Sequence, residues 1–420
     1  MSLEIATFSR EITPAAGVLL AGYGPEVVSR DIHDPLFIKG MAFRDGMQRV
    51  LLLSFDLLGL DRDFVVAIRK ACAASARIPA ENVVLTCTHT HSGPHTRRLG
   101  TLHFSRARLR EFKQYRRFLI TNSAGTVSGA FSDMRKVDVF HYSVRCHENL
   151  NRRYVAPDND CVYLPDAKHL IPLANNITDP ELGMLFFIEP GAEHPFATFV
   201  NYAAHPLTCQ AKGLASHMIS ADYPGVLRRE VEKKTGGNCV FTSGACGDLH
   251  PKGFESGFSR TEEMGKTLAS QIAESCSGAI RNPKRCRMPS PALNIRSVFV
   301  KLPFRSSGCV EPRLPLYRDR SSVNAELQIL KIGEAALIGV PGELLSGPGL
   351  EIKWNSPFRK TFILYNSTAY LSYLPPANCF VQGAYEAETC HLAPSSTFTL
   401  VSGAVKTLFE MKNSPSRKPE

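Results

Sequence analysis

Apolar residues along the first ninety positions alternate between a two-residue and a 3.6-residue period, and the switches mark the elements. Residues 5–12 read as a strand, and Gly22-Tyr23-Gly24-Pro25 as a loop. Asp45-Gly46 is the turn of a predicted hairpin whose second arm, Val50 to Asp56, is nearly all apolar before the aspartate. Such a run predicts a strand covered on both faces. Residues 61–76 carry helical spacing, and Val83-Val84-Leu85-Thr86-Cys87 is an apolar, β-branched strand running into Thr88-His89-Thr90-His91-Ser92-Gly93-Pro94. Further along, the pattern predicts a helix over 106–131, basic on one side, and strands over 136–144, 184–188 and 197–202. A helix over 223–234 follows, capped by Ser220 or Asp222, then a strand over 239–242, a helix over 261–275, and mainly strands over 293–340. Residues 155–182 are irregular and proline-containing, an excursion at the surface or over a site. The fold class expected is mixed α/β, with β-sheets flanked by α-helices. No linker composition divides residues 1–412, so one domain is expected, with a disordered tail over 413–420.

Composition narrows this picture modestly. A chain of 420 residues with 44% hydrophobic content can bury a substantial core. No run approaches the ~18 apolar residues of a membrane-spanning helix, and the start Met1-Ser2-Leu3-Glu4-Ile5 lacks the basic and apolar regions of a signal peptide. A cytoplasmic location is expected, or a secreted or periplasmic one if a leader precedes this sequence. The 12 cysteines include no Cys-x-x-Cys pair and several sit in apolar runs, as small buried hydrophobes of a reducing compartment do. The formal charge of +10 is spread along the chain without a polybasic block, which disfavours a nucleic-acid partner. The single Trp354 offers no lipid-anchoring patch, and nothing fixes the oligomeric state.

Candidate chemistry sits where apolar strands end. In an extended strand His89 and His91, two apart, would project from one face. Three other strand exits carry His205 before Pro206, Asp248 after Gly247, and Glu343 after Pro341-Gly342. Two or three histidines with one carboxylate make a zinc shell that leaves a position for water. Each residue taken alone has a plainer reading: His205 as a buried imidazole bonded to backbone, Glu343 as a first-turn helix acid, and Asp248 as a turn residue.

Together these pieces resemble the catalytic domain of the neutral/alkaline, non-lysosomal ceramidase family. The motifs that carry the resemblance run in order: Ile12-Thr13-Pro14, Gly22-Tyr23, Ile32-His33-Asp34-Pro35-Leu36, Asp56-Leu57-Leu58-Gly59, Thr88 to Pro94, Asn151-Arg152, His205-Pro206, His217 to Asp222, Gly244-Ala245-Cys246-Gly247-Asp248, and Pro341-Gly342-Glu343. The resemblance implies a metallohydrolase-type sandwich and a Zn2+ site on His89, His205, Glu343 and Tyr373. Tyr385, twelve positions after Tyr373, fits the family's second active-site tyrosine. It further implies that His91 and Tyr385 stabilise charge on the acyl oxygen, that either passes a proton to the leaving amine, and that Arg152 helps position substrate. The implied activity is hydrolysis of an N-acyl amide, N-acylsphingosine or a related compound, by zinc-activated water. A tyrosine in an apolar stretch is also an ordinary core residue, which leaves that alternative open for Tyr373.

Three departures from the family pattern bear on substrate. Gly247-Asp248-Leu249-His250-Pro251 has histidine where the family has serine, which excludes a serine acyl-enzyme there; His250 is expected to be a loop residue, with a place near the metal as the alternative. His95-Thr96-Arg97-Arg98-Leu99 replaces a glycine- and aromatic-rich segment, either disfavouring a greasy chain in favour of an anionic or hydroxyl-rich substrate or forming a solvated loop. The family's C-terminal β-sandwich also has no counterpart before residue 412. The readings in competition are therefore a ceramidase-like amidase, a zinc hydrolase of a more polar amide or ester, and a non-catalytic binding protein on the same fold.

Overall fold

The computed structural model describes residues 2–24, 27–46, 48–98, 104–155, 161–163, 177–210, 216–254, 256–289, 291–306, 309 and 317–413. Most of the expected excursion over 155–182, and the tail beyond residue 413, fall outside these residues.

Eight strands form the larger sheet: β1 (Leu3–Glu11), β2 (Phe37–Asp45), β3 (Gln48–Phe55), β4 (Val83–Cys87), β5 (Arg135–Arg145), β6 (Glu181–Ile188), β7 (Ala197–Tyr202) and β8 (Asn238–Ser243). Their order is β8-β7-β6-β5-β1-β2-β3-β4. The outermost pair at each edge is parallel and the inner pairs are antiparallel. Each parallel pair is joined by a helix, as parallel strands require. Helix α1 (Arg62–Ala76) links β3 to β4, and α3 (Asp222–Thr235) links β7 to β8. Helix α2 (Arg106–Val127) packs on α1, and α4 (Phe258–Arg281) packs on α3.

A second sheet of four strands, β9 (Leu293–Pro303), β10 (Ser322–Ile332), β11 (Ala335–Gly339) and β13 (Lys360–Leu364), lies against the first. Between β11 and β13 come the two-residue strand β12 (Glu343–Leu344) and helix α5 (Ser346–Trp354). After β13 follow β14 (Tyr373–Leu374) and the short helices α6 (Ala377–Gln382) and α7 (Tyr385–Glu388). Helix α8 (Ser396–Asn413) closes the chain. It takes in Asn413, the first residue assigned to the tail.

Alternation along β3 and β6 explains why both read as unbroken apolar runs. Leu51, Leu53 and Phe55 pack with Phe64, Ile68 and Leu119 of α1 and α2, while Val50 and Leu52 face Leu330, Leu337 and Phe362 of the second sheet. In β6, Met184 and Phe186 meet Tyr223, Leu227 and Leu268 of α3 and α4, while Leu185 and Phe187 join the layer between the sheets. The outer face of the second sheet is covered by Leu400, Ala404 and Leu408 of α8 and Ile352 of α5. The result is a four-layer α/β/β/α sandwich, in accord with the fold class expected from the sequence. Several elements run past their predicted ends: α4 gains more than a turn over 261–275, whereas α2 stops short of residue 131.

Candidate metal centre

The larger sheet coils until its two edges meet. Ser54 Oγ of β3 donates to Phe241 O of β8 at 2.6 Å, and Ser243 Oγ donates to Thr88 O, just past β4, at 2.7 Å. The end of β13 is wedged between these edges. Tyr365 N donates to Ser243 O at 3.1 Å, and Thr86 Oγ1 donates to Tyr365 O at 2.8 Å. Residues that leave β4, β7, β8 and β13 therefore emerge into one space.

His89 and His91 reach that space by a route the strand argument missed. Strand β4 ends at Cys87, and His89 has φ of +70°, so neither histidine belongs to an extended segment. Their convergence is made by the turn, which is held by His89 N donating to Leu57 O at 3.0 Å. The left-handed backbone at His89 is costly for a residue with a Cβ and is tolerated where the surroundings dictate it.

The Nδ1 atoms of all three histidines face carbonyl oxygens: His89 to Leu58 O at 2.7 Å, His205 to Leu249 O at 3.1 Å, and His91 to Gly22 O at 3.2 Å. A carbonyl only accepts, so Nδ1 of His91 and of His205 carries the proton and Nε2 presents a lone pair; His89 Nδ1 stands between Leu58 O and Asn366 Nδ2, the latter at 2.8 Å, and the shorter contact to the carbonyl favours the same tautomer. Those lone pairs point at one another. His89 Nε2 and His91 Nε2 are 3.3 Å apart, and ligand atoms of His89, His91 and His205 lie within 4.8 Å of one another. The carboxylate of Glu343 joins them, with Oε2 at 3.3 Å from both His89 Nε2 and His205 Nε2. Burial holds the His205 imidazole down to about 4, so its contact with Glu343 is not an ion pair of imidazolium with carboxylate, and burial holds His91 well below the usual value. His205 Nε2 is buried with no hydrogen-bond donor facing it. Three converging lone pairs and a carboxylate in a dry site repel unless a cation sits among them, and the donor set suits a divalent transition metal.

Glu343 is placed by the β12–β14 pair, whose parallel register sets it beside Tyr373. Burial would raise its pKa, but the adjacent His89 and His205 hold it well below the usual carboxylate range. Two tyrosines to which the sequence assigned no role contact it: Tyr365 Oη donates to Oε2 at 2.9 Å, and Tyr370 Oη donates to Oε1. Tyr373 is buried, and its phenol is pushed well above its ordinary value by burial and then by Glu343. Its ring centroid lies 5.4 Å from that of Tyr385, which is 41% exposed at the start of α7.

Arg152 is buried among fixed partners. Its Nε donates to Glu386 Oε1 at 2.6 Å, Nη1 to His250 Nε2 at 2.8 Å, and Nη2 to Gly247 O at 2.8 Å, while its Cζ lies over the rings of Tyr373 and Tyr385 at 5.5 and 5.7 Å. Glu386 also accepts from Arg153 Nη1 at 2.6 Å and is fully buried. His250 is not the loop residue expected, and its ring centroid lies 5.8 Å from that of His205, beside the centre. It stands in a short strand, Leu249–Pro251, paired with Asn149–Asn151, and serves as the acceptor that orients Arg152. Asp248 is a structural residue, accepting Ser346 N at 2.7 Å, Ser346 Oγ at 2.9 Å and Asn151 Nδ2 at 2.8 Å, and so fastens the start of α5. The cap expected before α3 takes another form. Ser220 Oγ accepts from Asp222 N and Asp222 Oδ1 from Tyr223 N, with Ala221 in the cap position and no side-chain cap.

The two arginines after the His-x-His turn separate. Arg98 is mostly exposed and pairs with Asp63 at 2.6 Å, as a solvated loop residue does. Arg97 instead lies with Cζ 3.9 Å from the ring centroid of Tyr370, the tyrosine bonded to Glu343. A cleft of about 570 Å³ lined by Arg62, Lys301 and Glu326 lies elsewhere, touching Ala369 and Leu371 on either side of Tyr370. Donor convergence, not cleft size, locates the centre. Among the described residues no helix is long and apolar enough to cross a membrane, and Cys72, Cys87, Cys146, Cys209, Cys239, Cys246, Cys276, Cys286 and Cys390 are buried free thiols.

No family model and no curated protein matches the chain. Solved structures do match. A ceramidase complexed with C2 superposes with a TM-score of 0.78 at 17% identity, covering 100% of this chain and 77% of that one. The neutral ceramidase from Pseudomonas aeruginosa superposes with a TM-score of 0.75 at 16% identity and the same coverage. The chain therefore shares the fold of the neutral ceramidases over its whole length.

Proposed function

We propose that this chain is a metal-dependent, ceramidase-like hydrolase of an N-acyl amide, with zinc held by His89, His205 and Glu343 and completed by Tyr373. The observation that carries this reading is the set of three imidazoles whose Nδ1 atoms face backbone carbonyls and whose Nε2 atoms turn onto one point beside a carboxylate. A zinc ion there supplies a Lewis acid that makes water nucleophilic near neutral pH. Glu343 is a ligand in this scheme, and its bonds from Tyr365 and Tyr370 fix its orientation. His91 differs from the expectation drawn from the resemblance. Its Nε2 lacks a proton in the tautomer set by Gly22 O, so in this reading it first accepts one from the attacking water and then donates it to the leaving amine; as a third imidazole on the metal it would do neither. Tyr385, at the exposed rim, is the donor to the developing charge on the acyl oxygen. Arg152 spends N–H groups on Glu386, His250 and Gly247, so its part is to hold Tyr373 and Tyr385 in position over its guanidinium face.

Elemental analysis of the purified protein, compared with His205→Ala, tests the centre. The expected result is about one zinc per chain, lost in the variant, with turnover of N-acyl amides lost in step. Absence of metal from the parent after zinc has been offered would refute the reading.

A further inference from the structure

A second cleft, of about 390 Å³, is lined by Ser143, Arg145, Glu181, Trp354, Arg359 and Lys360 among others. Strand β13 begins there with Lys360 and ends at Leu364, one residue before Tyr365, so about 16 Å of extended chain separates the cleft from the metal centre. The cleft lies along the half of β5 that β1 does not cover. Strand β1 pairs with β5 only over residues 135–137; beyond that point Phe140 is bridged to Arg287, and Met288 N donates to Val139 O at 2.8 Å. The same segment brings up Arg285, whose carbonyl accepts from Arg359 Nη2 at 2.8 Å.

Cations outnumber acids here. Lys353 pairs with Asp179 at 2.7 Å and with Glu181 at 2.6 Å, which occupies both acids of the cleft. Lys360 Nζ spends two of its three N–H groups, on Ser143 Oγ at 2.7 Å and on Glu181 Oε1 at 3.1 Å. Arg145, Arg285 and Arg359 are exposed, and among the described residues none of them forms an ion pair with a carboxylate. Exposed arginines alone are ordinary; His141 sets these apart. It lies two positions from Ser143 on the same face of β5, is only 6% exposed, and has no hydrogen-bond partner on either ring nitrogen. Burial and then the charges of Arg359 and Lys360 hold its pKa at about 4, so a neutral imidazole with an unused N–H stands beside cations. That combination of donors suits an oxyanion. Trp354, the one tryptophan of the chain, is 71% exposed on the cleft wall and offers an aromatic face.

We propose that this cleft binds a phosphate monoester, its phosphoryl group held by Arg359, Lys360 and His141 and its organic part laid on Trp354. The site is independent of the hydrolase reading.

The full chain, loaded with zinc, is titrated with inorganic phosphate and with phenyl phosphate, following Trp354 fluorescence and, in parallel, heat by calorimetry. Saturable binding at one site per chain is expected, with phenyl phosphate about tenfold tighter than inorganic phosphate through its ring on the indole. Arg359→Gln weakens both about tenfold, the worth of one charge-assisted hydrogen bond. Trp354→Ala, read by calorimetry, removes the advantage of phenyl phosphate and leaves inorganic phosphate unchanged. Lys284→Gln, at an exposed cation on the same segment that does not line the cleft, leaves both within about twofold. Binding that does not saturate, that survives Arg359→Gln, or that Lys284→Gln weakens as much as Arg359→Gln does would show only attraction to a basic surface and overturns the proposal. Phosphate that binds with no change in Trp354 fluorescence and no effect of Arg359→Gln sits elsewhere, on the metal centre included, and overturns it too.

Discussion

Metal binding should release a proton from Tyr373 and none from His91 or His205, and that count can be measured. A tyrosine ligates as phenolate, yet the Tyr373 phenol is pushed well above its ordinary value by burial, so near neutral pH its proton must leave when the metal arrives. His205 is held down to about 4 and His91 well below its ordinary value, so both are already neutral at pH 6. Two unperturbed imidazoles, with pKa ~6.5, would release ~1.5 protons between them at that pH. The assay is zinc titration by calorimetry in buffers of different ionisation enthalpy, at pH 6 and pH 7, on the parent and Tyr373→Phe. The parent is expected to release about one proton more than the variant at both pH values, with no extra release from His91 and His205 at pH 6. Equal counts for the two proteins would remove Tyr373 from the metal. A rise of ~1 proton on going from pH 7 to pH 6, the difference expected of two unperturbed imidazoles, would refute the claim that burial keeps them neutral.

The metal-free protein should lose stability in mild acid. A buried neutral histidine has a folded pKa below its unfolded one, so its contribution is complete above ~6.5 and is lost as pH falls toward 4. For His205 this is worth about 3 kcal/mol, read by urea unfolding along a pH series; a flat profile between pH 7 and 4 would contradict it. Glu386→Gln leaves Arg152 and Arg153 buried without their counter-charge and should cost about 3–5 kcal/mol at pH 7. Because its carboxyl is held low by these arginines against the opposing effect of burial, the difference from the parent should shrink as pH falls below the ordinary carboxyl range, and a loss under about 1 kcal/mol at pH 7 would show the pair to be dispensable. Gly22→Ala should weaken zinc binding more than it unfolds the chain, since Gly22 has φ of +101° and an added Cβ would fall 2.3 Å from His91 Nδ1; unchanged zinc affinity would release His91 from the centre.

Much of this architecture was legible in the order of residues. The apolar run of β3 announced a strand buried on both faces, the run at 184–188 announced a strand, and Asp45-Gly46 announced the hairpin between β2 and β3. The exits of β4, β7 and β8 and the turn after β11 could be read as candidate positions because polar, metal-competent residues follow apolar strands there. Periodicity is local, and these signals are local. The sequence could not say that strands at opposite edges of an eight-stranded sheet meet, since that follows from the accumulated coiling of the sheet and from the wedge of β13 between the edges. His205 and His89 therefore become neighbours through tertiary structure alone. For the same reason the partners of Glu343 and Arg152 lay hidden: Tyr365, Tyr370, Glu386 and His250 carry no spacing signal and gain their roles from contacts across 22, 27, 234 and 98 positions. Even His89 and His91, two apart in the chain, converge by a left-handed turn and not by strand alternation. The chain by itself determined which segments would be buried and which side chains could do chemistry; the tertiary structure decided which of them share a site, because proximity across the sequence is set by how layers pack and not by what any one segment prefers.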